Sequence, residues 1–331
     1  MMKTLVTGAT GAVGPQVVYA LHHAGYQVRT FSLDASPPGM FSGGVEVLSG
    51  DVTDLLAVQS AMQDVDTVVH LAALLHLMNP PVELRDKYER VNVGGTATVV
   101  EAAAKAGVKR VVLFSTIAVY GQTEGRVLNE CSPVHPDTYY AKTKLAAEQA
   151  VLDAWCFDGQ PLGTVLRLSA VYGARIKGNY RRLVQALARG RFIPIGNGSN
   201  RRTLVYDKDV ARAAVLAMQH PAAAGKIYNV TDGQIYMFDE IIKAICSAIG
   251  RTPPHIALPV EPVRMLAGLL EDSARLVRRQ SPIIRATVDK LIEDIAVDGS
   301  SIQRELGFSP QYNLLTGWQE TIQEMRRVGD L

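Results

Sequence analysis

Two side chains in this chain are spaced to act together as a proton acceptor. In Tyr140-Ala141-Lys142-Thr143-Lys144 a helix would bring Tyr140 and Lys144 onto one face, because residues at i and i+4 are neighbours there. A phenol titrates near about 10 in water. A cation held beside it stabilises the phenolate, which then becomes a usable base near neutrality. The chemistry this suits is removal of a proton from an alcohol as it is oxidised. The same spacing also arises on ordinary helix surfaces, so its meaning depends on its companions. Tyr139 is the rival phenol, but position 143 is threonine, so no lysine follows it at that spacing. Ser115 and Thr116 close the apolar run that starts at Arg110. Hydroxyls at a strand end either face a ligand or simply end the strand.

A second group of residues could hold a dinucleotide. Thr7-Gly8-Ala9-Thr10-Gly11-Ala12-Val13-Gly14 follows the short apolar run Thr4–Thr7 and precedes a helical pattern. Glycines so placed allow a tight turn and close backbone approach to a pyrophosphate, with a helix N-terminus aimed at its charge. Gly8, Thr10, Gly11, Ala12, Val13 and Gly14 are the residues of that turn. An acidic residue at the end of the next strand would grip the ribose hydroxyls of NAD. That position holds Ser32, with Asp34 two residues later and no Arg or Lys to receive a 2′-phosphate. NAD is therefore favoured over NADP. Asp51-Val52 could reach the adenine, or Asp51 could cap the helix that follows. Leu71, Ala72 and Ala73, after His70, are small enough to let the backbone approach the cofactor. His70 itself reads as a packed strand-end residue.

These groups need a scaffold that brings strand ends together. Strand patterns occur at Thr4–Thr7, Gln27–Ser32, Val45–Gly50, Thr67–Leu71, Arg110–Ser115 and Thr164–Leu168. Helical stretches lie between them near 14–23, 54–63, 90–106 and 138–155. The alternation predicts an α/β fold: a Rossmann-type, doubly wound parallel sheet covered on both faces. From about residue 174 the pattern loosens into short segments and arginine-rich helices, which implies a smaller, mostly α, C-terminal substrate domain. Val205–Met218 and Ile227–Val230 read as a return to the first domain. The expected division is 1–173 plus about 204–232 for the dinucleotide, and about 174–203 plus 233–331 for the substrate.

Composition narrows the partners. The chain has 331 residues, 47% hydrophobic, with a net charge of +2, which leaves no basic footprint for nucleic acid. Arginine pairs at 181–182, 201–202 and 278–279 are local. Three cysteines (Cys131, Cys156 and Cys246), none in a CxxC pair, do not make a disulfide framework and fit a reducing compartment. No apolar run has transmembrane length, and the N-terminus lacks a signal-peptide core. A cytoplasmic protein with no membrane partner is the expectation. No set of metal ligands is read.

The pieces together resemble the extended short-chain dehydrogenases/reductases, in their nucleotide-sugar epimerase/dehydratase group. The matching stretches are TGATGAVG (7–14), GDVTD (50–54), VVHLAA (68–73), NVGGT (92–96), FSTIAVYG (114–121), YAKTK (140–144), LRLSAVYG (166–173), GNGSNRRTLVYDKDV (196–210), YNVTDG (228–233) and ELGFSP (305–310). The resemblance implies that Tyr140 is the base, that Lys144 holds the cofactor ribose and tunes Tyr140, and that Thr116 is the catalytic hydroxyl with Ser115 beside it. It places Asn92 as a structural residue near the active-site helix, grouped with the cofactor contacts. It places Asn179 and Arg202 on the nucleotide diphosphate or ribose. Segment His70–Met78, with His76, and Lys177-Gly178-Asn179-Tyr180 resemble bacterial polysaccharide-pathway epimerases and 4-reductases. Members commonly pair as homodimers through two helices per subunit, here those spanning 90–106 and 138–155. Ala102, Ala103, Ala104, Ala146, Ala147 and Ala150 offer small faces for that contact.

Departures from the family pattern select the chemistry. The 4,6-dehydratases carry an Asp-Glu pair directly after the catalytic threonine, where this chain has Ile117-Ala118. The glucuronate decarboxylases use a Glu at the position of Ala118. Apolar side chains do no acid/base work. What remains is a UDP-glucose 4-epimerase-like activity on a UDP-hexose or UDP-N-acetylhexosamine with bound NAD, or 4-keto-sugar reduction at the same site. A 3β-hydroxysteroid or dihydroflavonol-type dehydrogenase is a further alternative, because Val260–Leu270 and Ser281–Ile295 could line an apolar pocket. A non-catalytic NAD sensor would not need the Tyr/Lys pair. Incubation with UDP-glucose or dTDP-glucose should yield no 4-keto-6-deoxy sugar by mass spectrometry; its accumulation would overturn the dehydratase exclusion.

Overall fold

The computed structural model describes residues 1–41, 43–75, 82–276 and 285–331. His76, Met78, Arg278 and Arg279, singled out above, lie outside the described residues. The first half alternates as the patterning predicts: β1 (Lys3–Thr7), α1 (Gly14–His23), β2 (Gln27–Ser32), β3 (Glu46–Ser49), α2 (Leu55–Ala61), β4 (Thr67–His70), α3 (Val82–Tyr88), α4 (Gly95–Lys105), β5 (Arg110–Thr116), α5 (Tyr139–Leu152) and β6 (Gly163–Leu168). After these come β7 (Ala170–Tyr172), α6 (Asn179–Ala188), β8 (Arg201–Arg202), β9 (Leu204–Tyr206), α7 (Asp207–Gln219), β10 (Ile227–Val230) and β11 (Tyr236–Met237). Five helices complete the chain: α8 (Phe238–Ile249), α9 (Val260–Leu276), α10 (Arg285–Ile292), α11 (Ser300–Leu306) and α12 (Leu314–Arg327).

Seven strands form one Rossmann-type sheet in the order β3-β2-β1-β4-β5-β6-β10, and every neighbouring pair is parallel. Strand alternation sends adjacent residues to opposite faces. Leu5, Val68, Leu113 and Val165 pack under α2, α4 and α5, through Val58, Val99 and Ala147. Val6, Val69, Val112 and Leu166 pack under α1 and α7, through Val17, Leu21 and Ala214. Strands buried on both faces are mostly apolar, which is why their sequences read as runs and not as alternations. The strand order reverses between β1 and β4, and such a switch point opens a crevice at the carboxyl ends of the strands.

Leu204–Tyr206 pairs with Ala170–Tyr172 as a small ladder outside the main sheet, and Ile227–Val230 enters the main sheet beside β6. Two details differ from the sequence reading. The stretch at 90–106 is not one α-helix, because Glu89–Gly94 forms a π-helical turn ahead of α4. Of the six alanines expected on a pairing face, Ala102, Ala103 and Ala147 are buried against the chain's own sheet.

A third core joins α6, α8 and α12 through Val184, Ile241, Ile245 and Ile322, with Trp318 stacked 4.5 Å from Tyr172. At its border Asp207 is buried, and Gly173 is tightly packed against it. A Cβ at Gly173 would lie 2.3 Å from Asp207 Oδ2. Among the described residues Asp207 Oδ1 has no hydrogen-bond partner. Burial, reinforced by Glu324, pushes the Asp207 carboxyl up to about 7. A carboxyl whose folded pKa is raised contributes stability that is full below its unfolded value, and that is lost as pH rises through the folded value. Asp207→Asn should therefore raise the thermal midpoint at pH 8, by the equivalent of roughly 1–3 kcal/mol. The gain should vanish toward pH 4, and melting curves at the two pH values would show an equal effect if Asp207 did not titrate in this window.

Candidate active site

The glycine turn is built by contacts that exclude side chains. Gly8 has φ +69°, and a Cβ there would stand 2.7 Å from the Ala72 amide nitrogen. A Cβ on Gly14 would meet Ala9 O at 2.1 Å, and one on Gly11 would meet Gly8 O at 3.0 Å. Helix α1 has neither a side-chain cap nor an acidic residue in its first turn. Pro15 has no amide hydrogen and the amides of Gln16 and Val17 bond Val13 O, so it is the backbone ahead of them that could meet an external anion. A dinucleotide pyrophosphate fits this cradle of backbone and bare Cα atoms.

The neighbouring candidates divide into ligand-facing and structural. Ser32 is buried, and its Oγ accepts the Thr10 amide at 3.2 Å, so it braces the glycine turn. Asp34 is exposed at the end of β2, where a ribose would lie. Asp51 Oδ1 accepts the Thr53 amide at 2.9 Å, while the cap of α2 is Asp54, which accepts the amides of Leu56 and Ala57. Asp51 is therefore a turn residue, not the helix cap. The Val52 side chain packs on Gly95, so only its backbone could meet a ligand. Leu71, Ala72 and Ala73 are half-buried along the crevice.

A chain of buried hydrogen bonds ties that crevice to α5. Thr7 Oγ1 lies 2.6 Å from His70 Nδ1, and His70 Nε2 lies 3.0 Å from Thr96 Oγ1. Thr96 donates to Asn92 O at 2.6 Å, so its oxygen accepts from Nε2–H and Nδ1 accepts from Thr7. Burial, with Lys144 nearby, pulls His70 down to about 3. Asn92 is spent on structure: Oδ1 accepts the Leu74 amide at 2.8 Å, and Nδ2 donates to Thr143 Oγ1 at 3.1 Å. Its side chain thus ties the loop after β4 to α5.

Helix α5 starts at a defined point because Thr138 accepts the Ala141 amide. Tyr140, Lys144 and Glu148 then follow one another along a single face at the i, i+4, i+8 spacing. Lys144 is only 3% exposed. Burial pulls its ammonium down to about 8, against the opposing charge of Glu148. Burial pushes Tyr140 up to about 12, with a smaller contribution from Tyr88, whose ring centroid is 6.5 Å away. The rival phenol Tyr139 donates to Glu89 at 3.0 Å on the exposed side.

Glu148 was not visible as a site residue in the sequence. It lies under Lys144, gripped by Arg167 of β6 through Nε at 3.1 Å and Nη2 at 2.7 Å. Ser115 also bonds Glu148. Its hydroxyl is therefore committed to that carboxylate. Thr116, the next residue, points to the other face and is half-buried. Its Oγ1 accepts the Ala118 amide at 3.2 Å, which leaves its hydrogen for a ligand.

Asn179 and Arg202, expected on the substrate, come near one another at Tyr180, the residue after Asn179. Asn179 opens α6 after Gly178, with no side-chain cap. Arg202 is half-buried, close enough to Tyr180 to lower its phenol against the rise that burial causes. One nitrogen donates to Lys290 O at 3.0 Å and Leu291 O at 3.2 Å. Its neighbour Arg201 is held by Asp294 at 2.6 Å, whereas Arg202 makes no ion pair among the described residues. The sequence marked both arginines; only partners far along the chain distinguish them.

The model of the NAD-dependent epimerase/dehydratase family matches residues 4–231. A curated relative, N-acetyl-α-D-glucosaminyl-diphospho-ditrans,octacis-undecaprenol 4-epimerase of Escherichia coli O157:H7, is 28% identical, over 97% of this chain and 94% of the relative. The 3β-hydroxysteroid dehydrogenase/Δ5→4-isomerase of Mycobacterium tuberculosis (strain CDC 1551 / Oshkosh) is also 28% identical, over 94% of this chain and 86% of the relative. The solved structure of MoeE5 in complex with UDP-glucose and NAD superposes with a TM-score of 0.78 at 27% identity, covering 98% of this chain and 99% of that one.

Arg167→Met tests the buried support beneath the site. It leaves Glu148 without its cation, and removing one partner of a buried pair costs about 3–5 kcal/mol. Urea unfolding should show that loss; an unchanged midpoint would mean the pair contributes nothing to holding α5.

Proposed function

The chain belongs to the NAD-dependent epimerase/dehydratase family, and we propose that within it the protein epimerises a UDP-hexose or UDP-N-acetylhexosamine at C4, through a transient 4-keto sugar. What supports this reading is that Tyr140 and Lys144 share one face of α5, that α5 packs on β5, the strand Thr116 ends, and that neither of the two residues after the threonine is an acid or a base. Ile117 is buried in a small apolar core with Val119 and Leu128, and Ala118 has no proton to exchange.

NAD, when bound, supplies the acceptor and donor of the hydride at C4. The protein's own groups do the rest. Tyr140 takes the O4 proton and returns it. Lys144 holds its charge against burial with the help of Glu148 and favours the phenolate. Lys144 alone does not make the base, because in the protein without ligand Tyr140 stays protonated well above neutrality. The Thr116 hydroxyl donates to O4 and stabilises its developing charge. Arg202, the amides at the start of α6 and Asn179 hold the diphosphate, so the ketone can turn without leaving. A diphosphate is common to UDP-glucose and to the lipid-linked substrate of the E. coli relative. In this reading residues 1–173 with about 204–232 bind the dinucleotide, and the remainder closes over the sugar.

A steroid-type dehydrogenase would need an apolar pocket, and Val260–Leu270 was the candidate wall. In α9 its largest apolar residues, Met265, Leu266 and Leu269, face solvent, which favours the diphosphate reading. Incubation with UDP-glucose and UDP-N-acetylglucosamine should give their C4 epimers with no added reductant. Tyr140→Phe should lower turnover by about 10²–10⁴ while NAD remains bound. Near-normal turnover in that variant would remove Tyr140 from the mechanism. Reduction of a 4-keto sugar only with added NADH would select the reductase instead.

A further inference from the structure

Several large exposed apolar side chains of the second half of the chain fall on one helix and the segments beside it. On α9, Met265 is 71% exposed, Leu266 58% and Leu269 61%, while Ala267 and Gly268 pack inward. At 3.6 residues per turn these three share one side of the helix. The segment leading into α9 adds Ile256, 74% exposed, and Leu258. That segment runs beside residues 193–196: Leu258 N donates to Pro194 O and Gly196 N donates to Leu258 O, each at 2.8 Å. Ile193, on the second segment, is exposed as well. Isolated exposed apolar residues are ordinary, but six on one helix and the two segments beside it form a patch of the kind that marks an interaction surface.

The border of this patch is basic. Arg189, Arg191 and Arg251 are exposed where the two paired segments begin. Arg251 Nη1 stands 3.0 Å from the position a Cβ on Gly190 would take, which places these arginines together. None of the three forms an ion pair among the described residues. The acids of the neighbouring hairpin are largely neutralised within it: Asp289 by Arg264, and Glu271 and Asp272 by Arg285. Glu261 is the exposed acid on α9 without a described ion pair.

We propose that this face lies on the surface of an anionic phospholipid bilayer, with α9 in the plane of the interface. Its apolar side chains would enter the boundary between head groups and acyl chains, and the three arginines would meet lipid phosphates. This is not a spanning arrangement, since no described helix is long and apolar enough to cross a membrane. A second copy of the chain fits less well, because a two-fold contact would set the same unpaired arginines near one another. The face also adjoins the proposed diphosphate site: α10 packs on α9, and the last residues of α10 accept from Arg202. The protein would therefore work with its substrate crevice close to the lipid head groups.

The test is sedimentation with vesicles, read without turnover, so it stands or falls apart from the proposed reaction. The protein should pellet with mixed phosphatidylcholine–phosphatidylglycerol vesicles at low salt, and much less with phosphatidylcholine alone. Met265→Glu with Leu269→Glu should lower the partition coefficient by about tenfold or more at an unchanged thermal midpoint. Arg191→Glu with Arg251→Glu should remove the salt-sensitive part of binding, and carries the test alone if the first variant fails to fold. Absence of wild-type binding to the mixed vesicles would overturn the proposal, as would variants that bind like the wild type. So would a wild type that self-associates without lipid and becomes monomeric with Met265→Glu and Leu269→Glu, since the face would then be covered by a second copy.

Discussion

An ammonium group buried beside a parallel sheet is the constraint around which the site is organised. Lys144 is 3% exposed, and an isolated charge in that setting would be strongly disfavoured. The compensation is a column of alternating charge. Glu148 lies one turn along α5, Arg167 of β6 closes on it with two nitrogens, and the Tyr120 ring sits 4.8 Å from the guanidinium carbon. Tyr120 is fixed in turn by its hydroxyl on Asn229 at 2.9 Å, and Asn229 belongs to β10. The charge at the crevice is thus referred back through β6 to the edge strand. Rotation or sliding of α5 would break the column, so the register of Tyr140 over the crevice is set by electrostatics as much as by packing.

That arrangement explains what could be read from the sequence. The strands were legible because burial on both faces leaves an apolar run, and the glycine turn because its spacing is local. The Tyr140–Lys144 pair was legible for the same reason. Glu148 was not, though it continues the same spacing, because a glutamate on a helix ordinarily faces water. Its partner, Arg167, lies 19 residues away on β6. Ser115 shows a related limit: the sequence shows that a hydroxyl ends the strand, not that a buried carboxylate engages it.

The second half of the chain follows the same rule. Arg201 and Arg202 are adjacent and chemically identical, and their roles separate only through Asp294 and the end of α10, more than 80 residues later. The π-helical turn at Glu89–Gly94 was hidden too. It is the place from which Asn92 reaches both Leu74 and Thr143, contacts that no local pattern announces. Leu204–Tyr206 is only three residues long, and so short a strand does not announce which ladder receives it.

His70 illustrates what a fully satisfied buried group does for its surroundings. With Thr7 donating to one ring nitrogen and Thr96 receiving from the other, the imidazole has a single tautomer, and it stays neutral far below physiological pH. It neither takes up nor hands on a proton in the range where an imidazole ordinarily would. The link between the glycine turn and the catalytic helix is therefore an electrical insulator: it transmits position but not charge. A fall in cellular pH would leave the centre of the sheet unaltered, and any acid sensitivity of the protein must originate in groups outside it.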